Sequence, residues 1–532
     1  MSVLESSQMD NRKAYLTGAG IASLAAAAYL ITEGGLRGSN ITIFEATEYL
    51  GGALDARGNP KTGYTMRGGR MFEEKYNCMF DLLSFIPSIG DPAKSVKQEV
   101  MEFRKAWSWN DLARLVDKEG KIVDAHHFGF SERDRLDLIA MTSKPESWFD
   151  DKRISDCFAP EFFQTNFWFM WTTIFAFETW HSAIELRRYF RRFVHLLFQM
   201  DTLTGILTTR YNNYDSIVRP LAKWLKGHGV NFVTGARVTD VDFRSDPNEI
   251  TATRIQVLQG SETQTISVGA SDLVMVTNGS MVADYALGSN TAAPELITTK
   301  RDGSWALWEK LAGGRPEFGN PGVFNNHIDE SKWESFTGTC TDCTFFERLE
   351  QFSGSVTGKG GLITFKDSAW LLTITAHKNP HYFEQPEGVF IIWGYGLFPD
   401  KIGDYVRKPM AQCSGAEIFE EVLRHLKFDA DLKRIMGSSI VIPCMMPYIT
   451  SQFLVRNSGD RPLVVPNGST NFAFLGQYTE QPDDCVFTVE YSVRSAQTAV
   501  FSLLGLDKKP SEFYHGTHDM RVLLDALKTM HR

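Results

Sequence analysis

Gly18 and Gly20, split only by Ala19, follow the strand-like run Lys13–Thr17 and open the Ala-rich stretch Ile21–Thr32. Glycines at such a strand-to-helix turn let the backbone approach a diphosphate, whose negative charge then sits on the positive end of the helix. Ser23 stands where a third glycine or alanine usually lets the helix pack close on the sheet. Glu45 ends the next β-branched run, Ile41–Phe44, where an acid takes ribose hydroxyls. The chemistry implied is dinucleotide binding, and spacing by itself does not separate FAD from NAD. Cys340 and Cys343 form a CxxC pair, but no second Cys or His pair lies at finger-like spacing, so they read as two free thiols and no metal is expected.

The elements that must position these residues begin with a βαβ unit. From Arg67-Gly68-Gly69-Arg70 to Asn213 the chain reads as helices and loops, the strongly basic Arg187, Arg188, Arg191 and Arg192 among them. Asn231–Val233, Val238–Phe243 and Leu273–Val276 read as strands, the last ending at Thr277-Asn278-Gly279-Ser280. A second α/β region, Ala306–Ile442, contains strand-like Trp370–Ile374 and Val389–Tyr395. Asn471–Leu475 is a strand again, leading to a helix at Ser492–Leu504. Phe158–Trp180 is rich in Phe and Trp, yet Gln164, Asn166 and Glu178 interrupt it well short of the roughly 20 apolar residues a bilayer span needs. It reads as a buried helix, its rings packed in the core or lining an apolar pocket. Met520, Leu523, Leu524, Leu527 and Met530 share one helical face, which suits docking on the protein or peripheral contact with a membrane.

A chain of 532 residues implies two or three domains. Lys+Arg 55 against Asp+Glu 64, a net charge of -9, removes the electrostatic footprint of a nucleic-acid binder. Seven scattered cysteines point to a reducing compartment, and Met1–Asp10 lacks the basic and apolar regions of a signal peptide, so the expected location is cytoplasmic.

Gly51-Gly52-Ala53-Leu54-Asp55, Arg67-Gly68-Gly69-Arg70, Thr208–Ser216, Pro443–Arg456 and Asn471–Val500 together resemble the FAD-dependent oleate hydratases, the myosin-cross-reactive antigen family, over nearly the whole chain. The resemblance implies an α/β fold. A discontinuous Rossmann-like FAD-binding domain would take residues 1–110, 215–290 and 440–505, a helical aromatic-rich subdomain 111–214, a fatty-acid substrate domain 291–439, and a C-terminal helical segment 506–532. It would place Gly18, Gly20, Ser23, Glu45, Gly52, Arg67, Gly68, Gly69, Val238, Asn278, Ser280, Glu480 and Gln481 at or near FAD.

The reaction implied is that of a hydro-lyase: water added to the cis-9 double bond of a long-chain unsaturated free fatty acid, giving a 10-hydroxy acid without net redox change. An acid must protonate one alkene carbon while a base orients water on the other. The family's donor maps to Tyr189, and arginines beside it would lower its pKa if they face it. Its water-activating Glu maps to Met71, which cannot take a proton. Either Glu73 substitutes, or water is held by backbone or flavin, or hydration has been lost. Thr375, His377 and His381 map to the carboxylate site, with His377 in place of an Asn, and a charged ring there would bind more strongly at lower pH. Asn213 replaces a Gln near the alkene or water. The family's longer N-terminal extension serves dimer contacts, so a monomer is expected here, with a dimer left open. The competing functions are an FAD-dependent isomerase or oxidoreductase on a similar lipid, and a non-catalytic flavin- and lipid-binding protein.

Overall fold

The computed structural model describes residues 11–531 except 245, 247 and 248; Met1–Asp10, read above for a signal segment, lie outside the described residues. Five parallel strands, β1 (Ala14–Thr17), β2 (Ile41–Phe44), β3 (Asn231–Val233), β4 (Leu273–Thr277) and β5 (Phe472–Leu475), lie in the order β5-β4-β1-β2-β3. Leu16, Ile43, Met275 and Leu475 point to one face, under the helices α1 (Ile21–Thr32) and α2 (Val489–Leu503). Tyr15, Phe44, Val274, Val276 and Phe474 point to the other, against the antiparallel strands Ala236–Phe243 and Ala252–Gln259 and the helix Ser304–Ala312. Strands covered on both faces need apolar side chains in both directions. Each fully buried aliphatic contributes about 2 kcal/mol relative to exposure. α1 is built largely of Ala, the best helix former, and stops where Gly35 takes a φ of 67°.

A second sheet runs Ala286–Leu287, Ser439–Met446, Trp333–Cys340, Phe390–Gly396, Leu372–Ala376, Ile363–Phe365, Leu115–Val116, Ile122–Val123. All neighbours are antiparallel except Ile363–Phe365 with Leu115–Val116. It cuts across the expected segments: Leu115–Val116 and Ile122–Val123 leave the helical stretch 111–214, and Ala286–Leu287 and most of Ser439–Met446 leave the cofactor stretches 215–290 and 440–505. Two-residue strands carry no readable alternation, and the buried run Ser439–Met446 suits either sheet. One face packs on the helix Gly415–His425 through Phe336, Ile374 and Ile392. The other presents Trp333, Trp393 and Tyr395 to Tyr64 and Met66. The backbone N–H groups of Tyr64 and Met66 donate to Thr339 and Thr337 at 2.8 and 3.1 Å, which fastens the chain leading into Arg67-Gly68-Gly69-Arg70 to this sheet.

The aromatic stretch breaks into a short turn, Pro160–Gln164, and the helix Asn166–Phe175, capped by the Thr165 hydroxyl accepting from Trp168 N and ended by Ala176 in the left-handed region. No helix among the described residues is long and apolar enough to cross a membrane. Phe167 and Trp171 line a cavity of about 100 Å³ beneath the helix Met520–Thr529. That helix docks through Ala526, with Met530 just beyond its end, while Met520 and Leu524 stay 69% and 51% exposed, so only part of the expected apolar face is covered.

Candidate active site

At the carboxyl ends of β1, β2 and β4 lies a cavity of about 410 Å³, within the range that holds small ligands. Gly18, Gly20, Glu45, Gly52, Arg67, Val238 and Ser280 line it. Gly18 has a φ of 83° and Gly52 of 53°, and a Cβ on Gly52 would stand 3.3 Å from Gly20 Cα. A Cβ on Gly20 would meet nothing within 4 Å, so its backbone faces the hollow. Glu45 accepts from Ala19 N at 2.8 Å and Thr47 N at 2.9 Å, bracing the turn it borders. Arg67 donates to Gly52 O and Asp55, both at 3.1 Å. Glycine backbone for a diphosphate, a carboxylate for a ribose and a helix N-terminus between them fit a dinucleotide.

Six expected cofactor residues sit elsewhere: Gly68 and Gly69 line the neighbouring cavity, and Ser23, Asn278, Glu480 and Gln481 have other partners. Ser23 is fully buried, its hydroxyl 3.1 Å from that of Thr277 and 3.3 Å from Thr17 O, so it pins α1 to the sheet. Asn278 donates to Tyr478 O behind the wall. Glu480 pairs with Arg188 at 2.9 Å and Arg456 at 3.1 Å; burial pushes its carboxyl up, and the two guanidiniums outweigh this and hold it at about 2. Gln481 donates to Tyr491 O. After Tyr478 the chain turns away from the cavity and returns to it at Phe487, so Gln477 and Thr488 line it instead. Arg237 and Thr47, beside residues the motif does mark, also line it.

A second, narrower cavity of about 90 Å³ shares Leu54, Arg70 and Phe487 with the first. Gly68 and Gly69 line this one rather than the dinucleotide cavity. Met66, Met71, Phe103, Trp109, Ile174 and Leu362 make its walls apolar. Arg70, Arg210 and Lys378 line it, and no Asp or Glu does among the described residues. Thr375, His377 and His381 come together here as expected. The imidazoles stack with centroids 3.8 Å apart, and Thr375 Oγ1 and both Nε2 atoms are buried without a hydrogen-bond partner among the described residues. Unpaired buried polar atoms are costly, which suits a site whose partner is a bound polar group. The expected ring charge is not found in the free protein: burial pushes His377 down to about 3, and burial together with His377 pushes His381 well below the usual imidazole range.

Tyr189 does not line the cavity. It is sealed among Phe175, Phe177, Phe193 and Phe453, and its hydroxyl donates to Val486 O at 2.6 Å. Burial lifts its pKa well above the usual phenol value, with Cys485, Tyr76 and Glu185 adding and Arg70 opposing. The arginines of its own helix do not face it. Arg188 pairs with Glu146 at 2.7 Å, Arg192 with Glu73 at 2.8 Å, and Arg187 donates to Lys144 O. That pairing also withdraws Glu73 from the cavity: its carboxylate is 2% exposed, 3.4 Å from His195 and held by Lys75 N at 2.7 Å. Asn213 lines the cavity, but its amide clamps the Arg70 backbone, accepting from Arg70 N at 2.7 Å and donating to Arg70 O at 3.3 Å.

Away from both cavities, Cys340 is buried in its strand and Cys343 Sγ donates to Glu347 at 3.0 Å. Asp404, Glu421 and His425 bring ligand-type atoms within 4.8 Å of one another. Glu421 already accepts from the backbone of Asp404, Tyr405 and Val406, so the trio anchors a loop.

Residues 11–501 match the profile of the MCRA family. The chain belongs to the MCRA family. An MCRA relative, the oleate hydratase of Streptococcus pyogenes serotype M49 (strain NZ131), is 38% identical over 97% of this chain and 89% of its own. The linoleate hydratase of Lactiplantibacillus plantarum is 34% identical over 98% of this chain and 99% of its own. The fold is also that of putrescine oxidase (TM-score 0.55, 12% identity, 93% of this chain and 99% of that one) and of cyclohexylamine oxidase from Brevibacterium oxydans IH-35A (TM-score 0.52, 11% identity, 93% and 99%).

Proposed function

We propose that this MCRA protein is a fatty acid hydratase, a hydro-lyase that adds water to the cis-9 double bond of an oleate-type free fatty acid with FAD bound and no net redox change. The observation that carries the reading is the narrow apolar cavity, free of lining carboxylates among the described residues, with Thr375, His377 and His381 unpartnered in its wall. Such a site accepts a hydrocarbon chain with an anionic end and repels nothing at that end. The names of the two relatives support the same chemistry, and the 410 Å³ cavity supports FAD.

FAD held by Gly18, Gly20, Glu45, Gly52 and Arg67 would supply an electron-rich ring system to the site. The chain's own residues do the rest. Thr375, His377 and His381 bind the carboxylate, with Lys378 adding charge. Tyr189 holds its proton at neutral pH, as a donor must before reaction, and reaches the alkene only once its ring leaves Val486 O and the shell of Phe175, Phe177, Phe193 and Phe453 for the cavity. With Met71 at the wall and Glu73 paired to Arg192, the attacking water is held by neutral groups, the hydroxyls of Thr173, Thr208 and Thr209 among the lining residues. A carbocation-like centre needs only orientation of that water, and Tyr189 recovers a proton as the alcohol forms.

Incubating the protein with FAD and oleate in ¹⁸O-labelled water tests this. Labelled 10-hydroxy acid is the expected product. The absence of a carboxylate from the wall also favours a second reading, double-bond isomerisation, in which a shifted alkene appears without label. Unchanged lipid that is nonetheless bound would leave a non-catalytic flavin- and lipid-binding protein.

A further inference from the structure

Arginines drawn into the interior around the two cavities are satisfied by oxygen acceptors: Arg67 by Asp55, Arg188 by Glu146, Arg192 by Glu73 and Arg456 by Glu185 at 2.7–3.1 Å, and Arg114 by Leu362 O, Met170 O, Thr173 and Thr364 at 2.9–3.1 Å. Arg70 is not. Its backbone is clamped by Asn213, one guanidinium nitrogen lies 3.5 Å from Met281 Sδ, and its Cζ stands 4.6 Å over the Phe487 ring. None of these partners is an anion, and the next residue is Met71. Burial lowers the guanidinium to about 10, with Tyr189 opposing. Arg70 also belongs to the wall between the cavities. With a diphosphate at Gly18 and Gly20 and a ribose at Glu45, the ring system of a flavin would take the part of the larger cavity bordered by Arg70 and Phe487.

We propose that Arg70 is a positioning residue whose unpaired charge faces the pyrimidine edge of the flavin, so that the protein holds reduced flavin more tightly than oxidised flavin. The inference rests on FAD occupying the larger cavity. Two-electron reduction adds electron density to the N1–C2 carbonyl edge, and the reduced ring readily loses its N1 proton to become an anion. A fixed cation shielded from bulk water interacts with that anion far more strongly than it would in solvent. Met71, the next residue, offers no carboxylate to compete for this charge.

The test is anaerobic titration of the full chain with oxidised and with chemically reduced FAD, followed by fluorescence and calorimetry. The wild type is expected to bind reduced FAD at least tenfold more tightly, which corresponds to about 30 mV in the two-electron potential of the bound cofactor. Arg70→Gln should bring the ratio close to one, and Arg70→Lys should keep part of it. Met71→Glu, which leaves Arg70 in place and gives it a carboxylate, should also lower the ratio, and this variant serves if Arg70→Gln does not fold. An unchanged ratio in Arg70→Gln or Met71→Glu, or a wild-type ratio near one, overturns the proposal. Failure of either FAD form to bind the wild type overturns the cofactor reading itself.

Discussion

Replacing Glu73 by Gln separates a structural carboxylate from a catalytic one. The pair it forms with Arg192 is 2.8 Å long, with side chains 1% and 2% exposed, so the substitution leaves a guanidinium without its counter-charge in a nearly dry site. Breaking one side of a buried pair costs about 3–5 kcal/mol. Arg192 keeps its bond to Lys75 O at 3.0 Å and the field of Asp484, which puts the expected loss at the lower end, about 3 kcal/mol. Because Glu73 is outside the substrate cavity, kcat of the folded variant should stay within a few-fold of wild type. The double variant Glu73→Met with Arg192→Met, which removes both charges, should recover much of the stability. Urea unfolding gives the first quantity and steady-state hydration of oleate the second. A fall in kcat of about 100-fold or more with unchanged unfolding would refute the assignment and make Glu73 the general base.

Tyr189→Phe should keep the aromatic packing, cost about 1 kcal/mol for the lost bond to Val486 O, and lower turnover by about 100-fold or more; near-normal turnover excludes Tyr189 as the donor. His377 and His381 are neutral in the folded chain and protonate on unfolding below about 6.5, so the stability they contribute is complete above that pH. It is lost as pH falls toward the folded value of about 3, at about 1.4 kcal/mol per pH unit for each ring that stays neutral. His377→Asn should therefore lose less stability than wild type between about pH 7 and about pH 5, and equal losses in urea titrations would contradict the neutral-pair description. Gly18→Ala puts a side chain at a φ of 83°, a strain of about 1–2 kcal/mol at the diphosphate turn, and should cut the FAD content of the purified protein several-fold; full occupancy would argue against that turn as the cradle.

β2, β3 and α1 match the sequence reading residue for residue, because each is a short apolar or Ala-rich run bounded by glycine or charge. Cofactor positions directly after those strands were legible for the same reason. Glu480 and Gln481 were not, since nothing local shows that the chain turns outward past Tyr478. Trp333–Cys340 escaped notice as a strand because it is buried along its whole length, which erases the period-two pattern, and Glu334, Thr337 and Thr339 disguise it further. The arginines around Tyr189 mark a basic helix in the sequence, yet their partners Glu146, Glu480 and Glu73 come from three distant segments. Only the fold reveals that Arg187, Arg188 and Arg192 are already paired. The clustering of Thr375, His377 and His381 came from family resemblance, and their shared burial explains why those types suit the place.

The strand order β5-β4-β1-β2-β3 also dictates when the nucleotide site can exist during synthesis. β1, α1 and β2 leave the ribosome early, but β4 follows only after residue 273 and β5 after residue 472. Roughly 230 residues separate β2 from β4, the strand that covers β1, which at ~5–20 residues per second is on the order of ten to fifty seconds of waiting. Throughout that interval the open edge of β1 has no neighbour to cover it. The nascent chain thus carries an exposed apolar edge, and its yield in cells is expected to rise with chaperone supply more than that of a chain whose nucleotide fold is written in one piece.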